Sequence, residues 1–397
     1  MGETRAGSGS EAPSLSHGSL EGRLRSLADG ADASVRFDRF MEAALYDPAH
    51  GYYATRPGPI GRPGDFYTAA HVHPMFGQTV GRRILKEYER LGRPARFRVA
   101  EIGPGDGTLA FDILRSIVSE IAPHSRFTYL LVERAAPLRA RALERLRPLA
   151  ESNRIEIRVS ETVGADGPFA GVVLANELFD AFPCRRLVWR SGGWRELRAV
   201  EQAGRWVFTE ATDVEPVPGI PLAPGDREGL VVEFSPAAEG FVREVSDHLE
   251  VGAALLLDYG DEEASLRSRF PHGSLAAVRA HRVVPDPLDS PGSQDLSTFV
   301  NFTRLRTTAR DAGLIDRGLR SQTEALQAWG LPAVLDRLLA AATDAEAKVR
   351  LRLAAKKLLF GFDQFKVLEM AARGRGGGEV TAAGASTPAG SSPPSFR

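Results

Sequence analysis

The stretch Phe97–Leu114, FRVAEIGPGDGTLAFDIL, packs three glycines into five positions between a β-rich apolar run and a run of helical periodicity. A chain joins two such runs only by reversing sharply, so the stretch predicts strand, tight turn and helix, the opening of a βαβ unit. The turn Gly103-Pro104-Gly105-Asp106-Gly107 is either a cofactor cradle or an ordinary βα turn. In the dinucleotide fingerprint the third glycine follows the second by three residues; here both spacings are two, which opposes a dehydrogenase.

The same alternation continues downstream. Helix-like TLAFDILRSIVSEI is followed by strand-like FTYLLVE, a helix after Pro137, then strand-like IEIRV, GVVLA and AALLLDYG. Short apolar runs alternating with helices predict an α/β fold, a doubly wound, mostly parallel sheet with helices on both faces. Between Cys184 and Ser235 the texture changes to RLVWR, WRELRAV and GRWVFTEA around glycine turns, which predicts an inserted antiparallel hairpin element of about residues 184–235. Residues 96–335 are the expected core, and 336–372, with LLFGFDQFKVLEMAAR as its most apolar part, are expected to be helical. Phe37, Phe40, Met41, Ala44 and Leu45 form one helical stripe that ends at Asp47-Pro48, inside an N-terminal helical and lid region of residues 21–95. The Gly/Pro/aromatic segment Ala49–Gly77 lacks periodicity and is a candidate lid. The Gly/Ser-rich ends, residues 1–20 and 373–397, are expected to be disordered; Arg373 and Arg375 stand in a short RGRGG run, read as solvated tail.

Composition excludes several classes. The 397 residues carry a net charge of −1, which argues against a nucleic-acid surface, and no apolar run approaches the length of a membrane span. One cysteine, Cys184, rules out a disulfide framework and reads as a small buried apolar residue; the reducing setting this implies, with no apolar signal core at the N-terminus, makes cytoplasmic the expected localisation.

The polar residues at the strand ends say what the turn holds. Glu101 ends the first strand and aims a carboxylate at the crevice shaped by Gly103, Gly105, Asp106 and Gly107, where it would repel a pyrophosphate and attract an ammonium. Glu133 ends the next strand, placed to accept hydrogen bonds from two ribose hydroxyls. The ligand that satisfies both is S-adenosylmethionine. The fourth strand runs into ANELFDAFP, where Asn176 stands near the cofactor and Glu177 and Asp180, three residues apart, fall on one face of a helical turn; capping by Asn176 or Asp180 is the alternative. Glu177, Asp180 and Asp258, the last beside Tyr259, are the candidate catalytic residues. No metal is expected: His71 and His73 alternate on a segment with no third ligand. His281 is either a base or a hydrogen-bonded structural histidine. Tyr52, Tyr53, Phe66 and Tyr67 either wall a cation pocket or pack under the loop.

FMEAALYDPAHGYY, GDFYTAAHVHPMFG, VAEIGPGDGTLAFDIL, LANELFDAFP, LLLDYG, AHRVVPDPLDSPGSQDLSTFVNFTRL and FGFDQFKVL resemble, in that order, segments of the MidA family. The resemblance spans about residues 20–370. It implies a seven-strand class I methyltransferase fold, S-adenosylmethionine as methyl donor and, from mitochondrial members that assist respiratory complex I assembly, a protein arginine as acceptor. The chain departs from the family at Ala70-His71-Val72-His73-Pro74, at Gln78 and at Asn301, in the expected substrate lid and late loop, which bears on the substrate more than on the cofactor. A small-molecule acceptor and a non-catalytic assembly protein are the competing readings; the intact set Glu101, Glu133, Asn176 and Glu177 speaks against the latter. The oligomeric state is open, a homodimer included.

Overall fold

The computed structural model describes residues 19–374 except 31, 56–67, 122–124, 154, 192, 212–219, 221–225 and 281. The expected terminal tails, apart from their innermost residues, and Phe66, Tyr67, His281 and Arg375 therefore lie outside the described residues.

Seven strands build the main sheet: β1 (Arg96–Ile102), β2 (Arg126–Val132), β3 (Glu156–Ser160), β4 (Phe169–Asn176), β5 (Leu249–Asp261), β6 (Ile315–Ser321) and β7 (Phe365–Ala372). Their spatial order is β6-β7-β5-β4-β1-β2-β3, and a short strand, Val300–Asn301, pairs with the end of β5 as the eighth member. All pairings are parallel except those of β7, which runs antiparallel to both β5 and β6. The chain leaves β1 toward β2 and returns to β1's other edge with β4, so the strand order reverses there and a crevice opens at the carboxyl ends of β1 and β4.

The strands are apolar on both faces because both are covered, the requirement of a parallel sheet flanked by crossover helices. Val99, Tyr129, Leu131, Val172, Leu174 and Leu255 point into one core, with helices Met75–Arg90, Thr108–Ile117, Leu331–Ala341 and Ala345–Phe360. Their chain neighbours Ala100, Leu130, Val132, Val173, Ala175 and Leu256 point into the other, under helices Pro236–His248 and Phe302–Asp311. The expected α/β class is the observed one. No described helix is long and apolar enough to cross a membrane.

The expected hairpins are present as Arg185–Arg190, Gly193–Gln202 and Arg205–Ala211, an antiparallel sheet completed by Val231–Phe234 and Val35–Arg36. This insertion lies between β4 and β5 in sequence. Helix Phe37–Tyr46 buries the expected stripe of Phe37, Phe40, Met41, Ala44 and Leu45 against Ala199, Trp206 and Leu296.

One expectation fails. The helical reading of residues 336–372 holds only for helices that end at Phe360, and Phe365–Ala372 is the strand β7. Its residues Lys366, Leu368, Glu369, Met370, Ala371 and Ala372 are good helix formers and show no two-residue alternation, because β7 lies between two strands and is covered on both faces. Tertiary pairing decides the outcome: Ala253–Tyr259 of β5 and Ile315–Ser321 of β6 supply its hydrogen bonds. Even Glu369 is accommodated, its carboxylate accepting from Trp329 Nε1 at 3.0 Å and from Arg83.

The glycine turn is dictated by backbone geometry. Gly103, Gly105 and Gly107 have φ of 62°, 56° and 79°, in the left-handed region. A Cβ on Gly107 would stand 2.9 Å from the Cα of Ala142, on the helix Ala136–Asn153 that packs over the turn. Gly107→Ala therefore adds a clash to an unfavourable φ. It is expected to lower unfolding free energy by about 2 kcal/mol or more in urea titration, whereas Gly92→Ala, also at positive φ but with open space around it, costs about 1 kcal/mol.

Candidate active site

The crevice at the switch point is a cleft with about 780 Å³ of empty volume, lined by Gly103, Gly105, Glu133, Glu177, Leu178, Asp180 and Tyr259 from the sheet side. Tyr46, Tyr53, Thr68 and Asp295 close it from the N-terminal region and the late loop. Of the expected cofactor residues, Gly103, Gly105 and Glu133 line the cleft, as do the expected catalytic carboxylates Glu177 and Asp180. Glu101, Asp106, Gly107, Asn176 and Asp258 stand behind it.

Glu133 sits at the end of β2, where Ala135 N–H donates to its Oε1 at 2.8 Å. Burial raises its carboxyl above the ordinary value, against the backbone N–H groups of Ala135, Gly105 and Arg134. Glu101 is buried and accepts from the Tyr129 hydroxyl at 2.6 Å; burial pushes it up to about 7 despite that bond. Asp106 braces the turn: its Oδ1 accepts from Thr108 N–H at 3.0 Å, and Arg145 donates to its Oδ2 at 2.7 Å and its carbonyl at 2.9 Å.

The acidic loop after β4 is built around Asp258. Asp258 Oδ2 accepts from the backbone N–H groups of Leu178, Phe179 and Asp180 at 3.0, 2.7 and 3.3 Å, while Oδ1 accepts from Tyr259 N–H at 2.8 Å. Asp258 has no exposed surface. The turn is thus capped from the neighbouring strand, not by Asn176 or Asp180 as the alternative reading had it, and Asp258, expected among the catalytic carboxylates, faces the backbone and not the cleft. Held this way, Phe179–Ala181 forms a 3₁₀ turn that leaves Glu177 and Asp180 on the cleft wall.

Glu177 occupies an unusual backbone position, with φ of 53°, while its N–H donates to the Leu257 carbonyl at 2.8 Å. A non-glycine residue held there is strained, a condition that recurs at functional sites. Its Oε1 accepts from Ala69 N–H at 3.0 Å and from Asn176 Nδ2 at 3.3 Å. Burial and the nearby Asp180 push the Glu177 carboxyl up to about 7, opposed by the Ala69 bond. Asp180 is pushed up to about 6 by burial, opposed first by the Tyr259 hydroxyl, which donates to its Oδ2 at 2.6 Å.

Among the cleft residues that carry no functional reading from the sequence are Tyr46 and Asp295. Tyr46 ends the helix Phe37–Tyr46, stacks on Tyr53 and donates its hydroxyl to the Ala181 carbonyl at 3.0 Å. Asp295 is buried and accepts from the Tyr53 hydroxyl at 2.9 Å. Asp295 stands in AHRVVPDPLDSPGSQDLSTFVNFTRL and Tyr46 in FMEAALYDPAHGYY, so the resemblance marks both stretches; by itself Tyr46, directly after the apolar stripe, reads as a core residue. Tyr53 takes the pocket alternative of its two readings, and Tyr52 the packing one, buried in the N-terminal core.

The cleft fits S-adenosylmethionine. Two backbone walls lack side chains, and a Cβ on Gly103 would collide with Leu178 at 2.8 Å. Glu133 offers carboxylate oxygens beside them, and the buried Asn176 Oδ1 lacks a hydrogen-bond partner, an acceptor left for a donor that the described residues do not supply.

Residues 79–319 match the model of a family described as S-adenosyl-L-methionine-dependent methyltransferase. A mitochondrial protein arginine methyltransferase NDUFAF7 homolog from Drosophila melanogaster is 30% identical over 328 residues, 75% of this chain and 71% of its own. The mitochondrial protein arginine methyltransferase NDUFAF7 of Bos taurus is 28% identical, covering 67% of this chain and 64% of its own. A solved structure from Burkholderia thailandensis bound to S-adenosyl-homocysteine is 30% identical, covers 89% of this chain and 91% of its own, and superposes with a TM-score of 0.77. The cytoplasmic expectation is corrected by the two NDUFAF7 relatives, which are named mitochondrial; a single cysteine reports a reducing setting and does not distinguish one reducing compartment from another. With the glycine turn, Glu133 and the acidic loop in one cleft, the chain belongs to the MidA family and is an S-adenosylmethionine-dependent methyltransferase.

Proposed function

We propose that the acceptor is the guanidinium of an arginine in a protein. The observation that carries this is the lining of the cleft: Glu133, Glu177, Asp180 and Asp295 with Tyr46, Tyr53 and Tyr259, and no Lys, Arg or His among the described lining residues. Carboxylates at that density, with no cationic side chain in the described lining, suit a planar cation that can be held by two of them, and the tyrosine rings add a quadrupole wall. The naming of the relatives as protein arginine methyltransferases supports the same acceptor.

When bound, S-adenosylmethionine supplies a methyl carbon already activated by its sulfonium. What the chain adds is alignment and proton removal. Gly103, Gly105, Glu133 and the free Asn176 carbonyl oxygen would hold the donor; Glu177 and Asp180 would clamp the guanidinium. The acceptor nitrogen would have to shed a proton on methylation, and Glu177 would take it. Its strained backbone and its Ala69 contact fix its direction. Asp258 acts as a positioning residue, holding the turn that presents both acids.

Because Glu177 must be ionised to accept a proton and its carboxyl is raised to about 7, kcat/KM should fall as pH drops through about 7. Glu177→Gln should lower kcat by about 10²- to 10⁴-fold and remove that acid limb, with S-adenosyl-homocysteine affinity retained. With labelled donor and cell lysate, label should enter protein as methylarginine; label confined to small metabolites, or undiminished transfer by the variant, would sink the reading. Asp258→Ala should separate position from chemistry: it strands the N–H groups of Leu178, Phe179 and Asp180, the last two of them buried, and is expected to cost about 3 kcal/mol or more in urea unfolding, while Glu177→Gln should stay within about 1 kcal/mol of the parent.

A further inference from the structure

The segment that departs from the family pattern, around His71, has a contact set of its own. The short helix Ala69–Val72 touches two loops at once. At its first residue, Ala69 N–H donates to Glu177 Oε1 at 3.0 Å, so the helix holds the acceptor-side carboxylate. Two residues on, the His71 ring lies between Thr68 and the glycine turn: Nδ1 is 2.7 Å from Thr68 Oγ1, and Nε2 is 3.9 Å from Asp106 Oδ1. Nε2 is buried and has no hydrogen-bond partner. Burial lowers the tendency of His71 to protonate, so the neutral ring is the relevant form. In that form a Thr68 hydroxyl donating to Nδ1 leaves the proton on Nε2, directed toward Asp106. His73 is separate, its Nδ1 accepting from Met75 N–H at 3.0 Å, and among the described residues no His, Cys, Asp and Glu group has the makings of a metal site.

We propose that His71 is a positioning residue that clasps the cofactor turn to the acceptor carboxylate, so that filling the donor site orders the hold on Glu177. The chain of contacts is short: Gly105 and Gly107 flank Asp106, Asp106 faces His71, His71 meets Thr68, and the adjoining Ala69 N–H reaches Glu177. Thr68 also lines the cleft. By linkage, a donor that orders the clasp is itself bound more tightly by it. The inference concerns donor binding and stands whether or not the acceptor is arginine.

The test uses S-adenosyl-homocysteine with the full chain. In the parent, its addition should slow hydrogen–deuterium exchange across residues 68–76. In His71→Leu the response should vanish and affinity by calorimetry should fall by about tenfold. His71→Gln, whose amide N–H can stand where Nε2–H does, should restore most of both; a residue that merely fills space would be served as well by leucine. Where His71→Leu melts below the parent, Thr68→Val decides by the same readouts, since it removes the hydroxyl that sets the tautomer and keeps the shape. Parent-like affinity and protection in the decisive variant, or His71→Gln no better than His71→Leu, would overturn the proposal.

Discussion

The site depends on one buried carboxylate. Asp258 gathers the N–H groups of Leu178, Phe179 and Asp180 onto a single oxygen, and this converts the end of β4 from a strand into a tight turn. In a low-dielectric setting such bonds between a carboxylate and the backbone are strong, and each donor would be costly to leave unpaired. Because Asp258 stands on β5, beside β4 in the sheet, the turn takes its position from the sheet itself. Glu177 and Asp180 inherit that rigidity. The left-handed φ of Glu177 is tolerable because both neighbours are fixed, by Leu257 on one side and Asp258 on the other.

Hydrogen bonding and access to the cleft then divide its carboxylates and those of its walls into kinds. Asp258 and Asp106 have their oxygens engaged by the protein and serve as scaffold. Glu177, Asp180 and Glu133 reach the cleft, and burial raises all three, as it raises the enclosed Asp258; the difference is that only the cleft three can meet an incoming ligand. Raised carboxyls are poorly solvated groups awaiting a partner, and a bound cation supplies one. A cleft that is unfavourable for anions when empty becomes favourable when a sulfonium or guanidinium enters.

The alternation of strand and helix from Phe97 onward is legible because each strand is short, apolar and bounded by a turn, and each helix carries a stripe. The cofactor side is legible for a related reason: glycines with positive φ and acids at strand ends have few other uses. The acceptor side is less so. That Asp258 binds backbone is invisible in LLLDYG, because a capping acid and a catalytic acid look alike until the facing strand is known. Tyr46 and Asp295 reach the cleft from distant segments, and only the packing of helix Phe37–Tyr46 against Leu296 brings them together. The miss at β7 has the same origin: Lys366–Ala372 has helical propensity, and the two strands that overrule it lie far off in the chain.

The place of β7 has a consequence for how the protein is made. It is the last described strand of the chain, yet it sits inside the sheet, bonded to β5 along eight register pairs and to β6 on its other side. While residues 365–372 remain in the ribosome, β5 presents an open edge and β6 has no sheet to join. The cleft end of β5, which carries Asp258, faces that gap. The active-site scaffold is therefore completed by a strand that follows β5 only after β6 and several helices, and the edge of β5 stays exposed until that strand arrives.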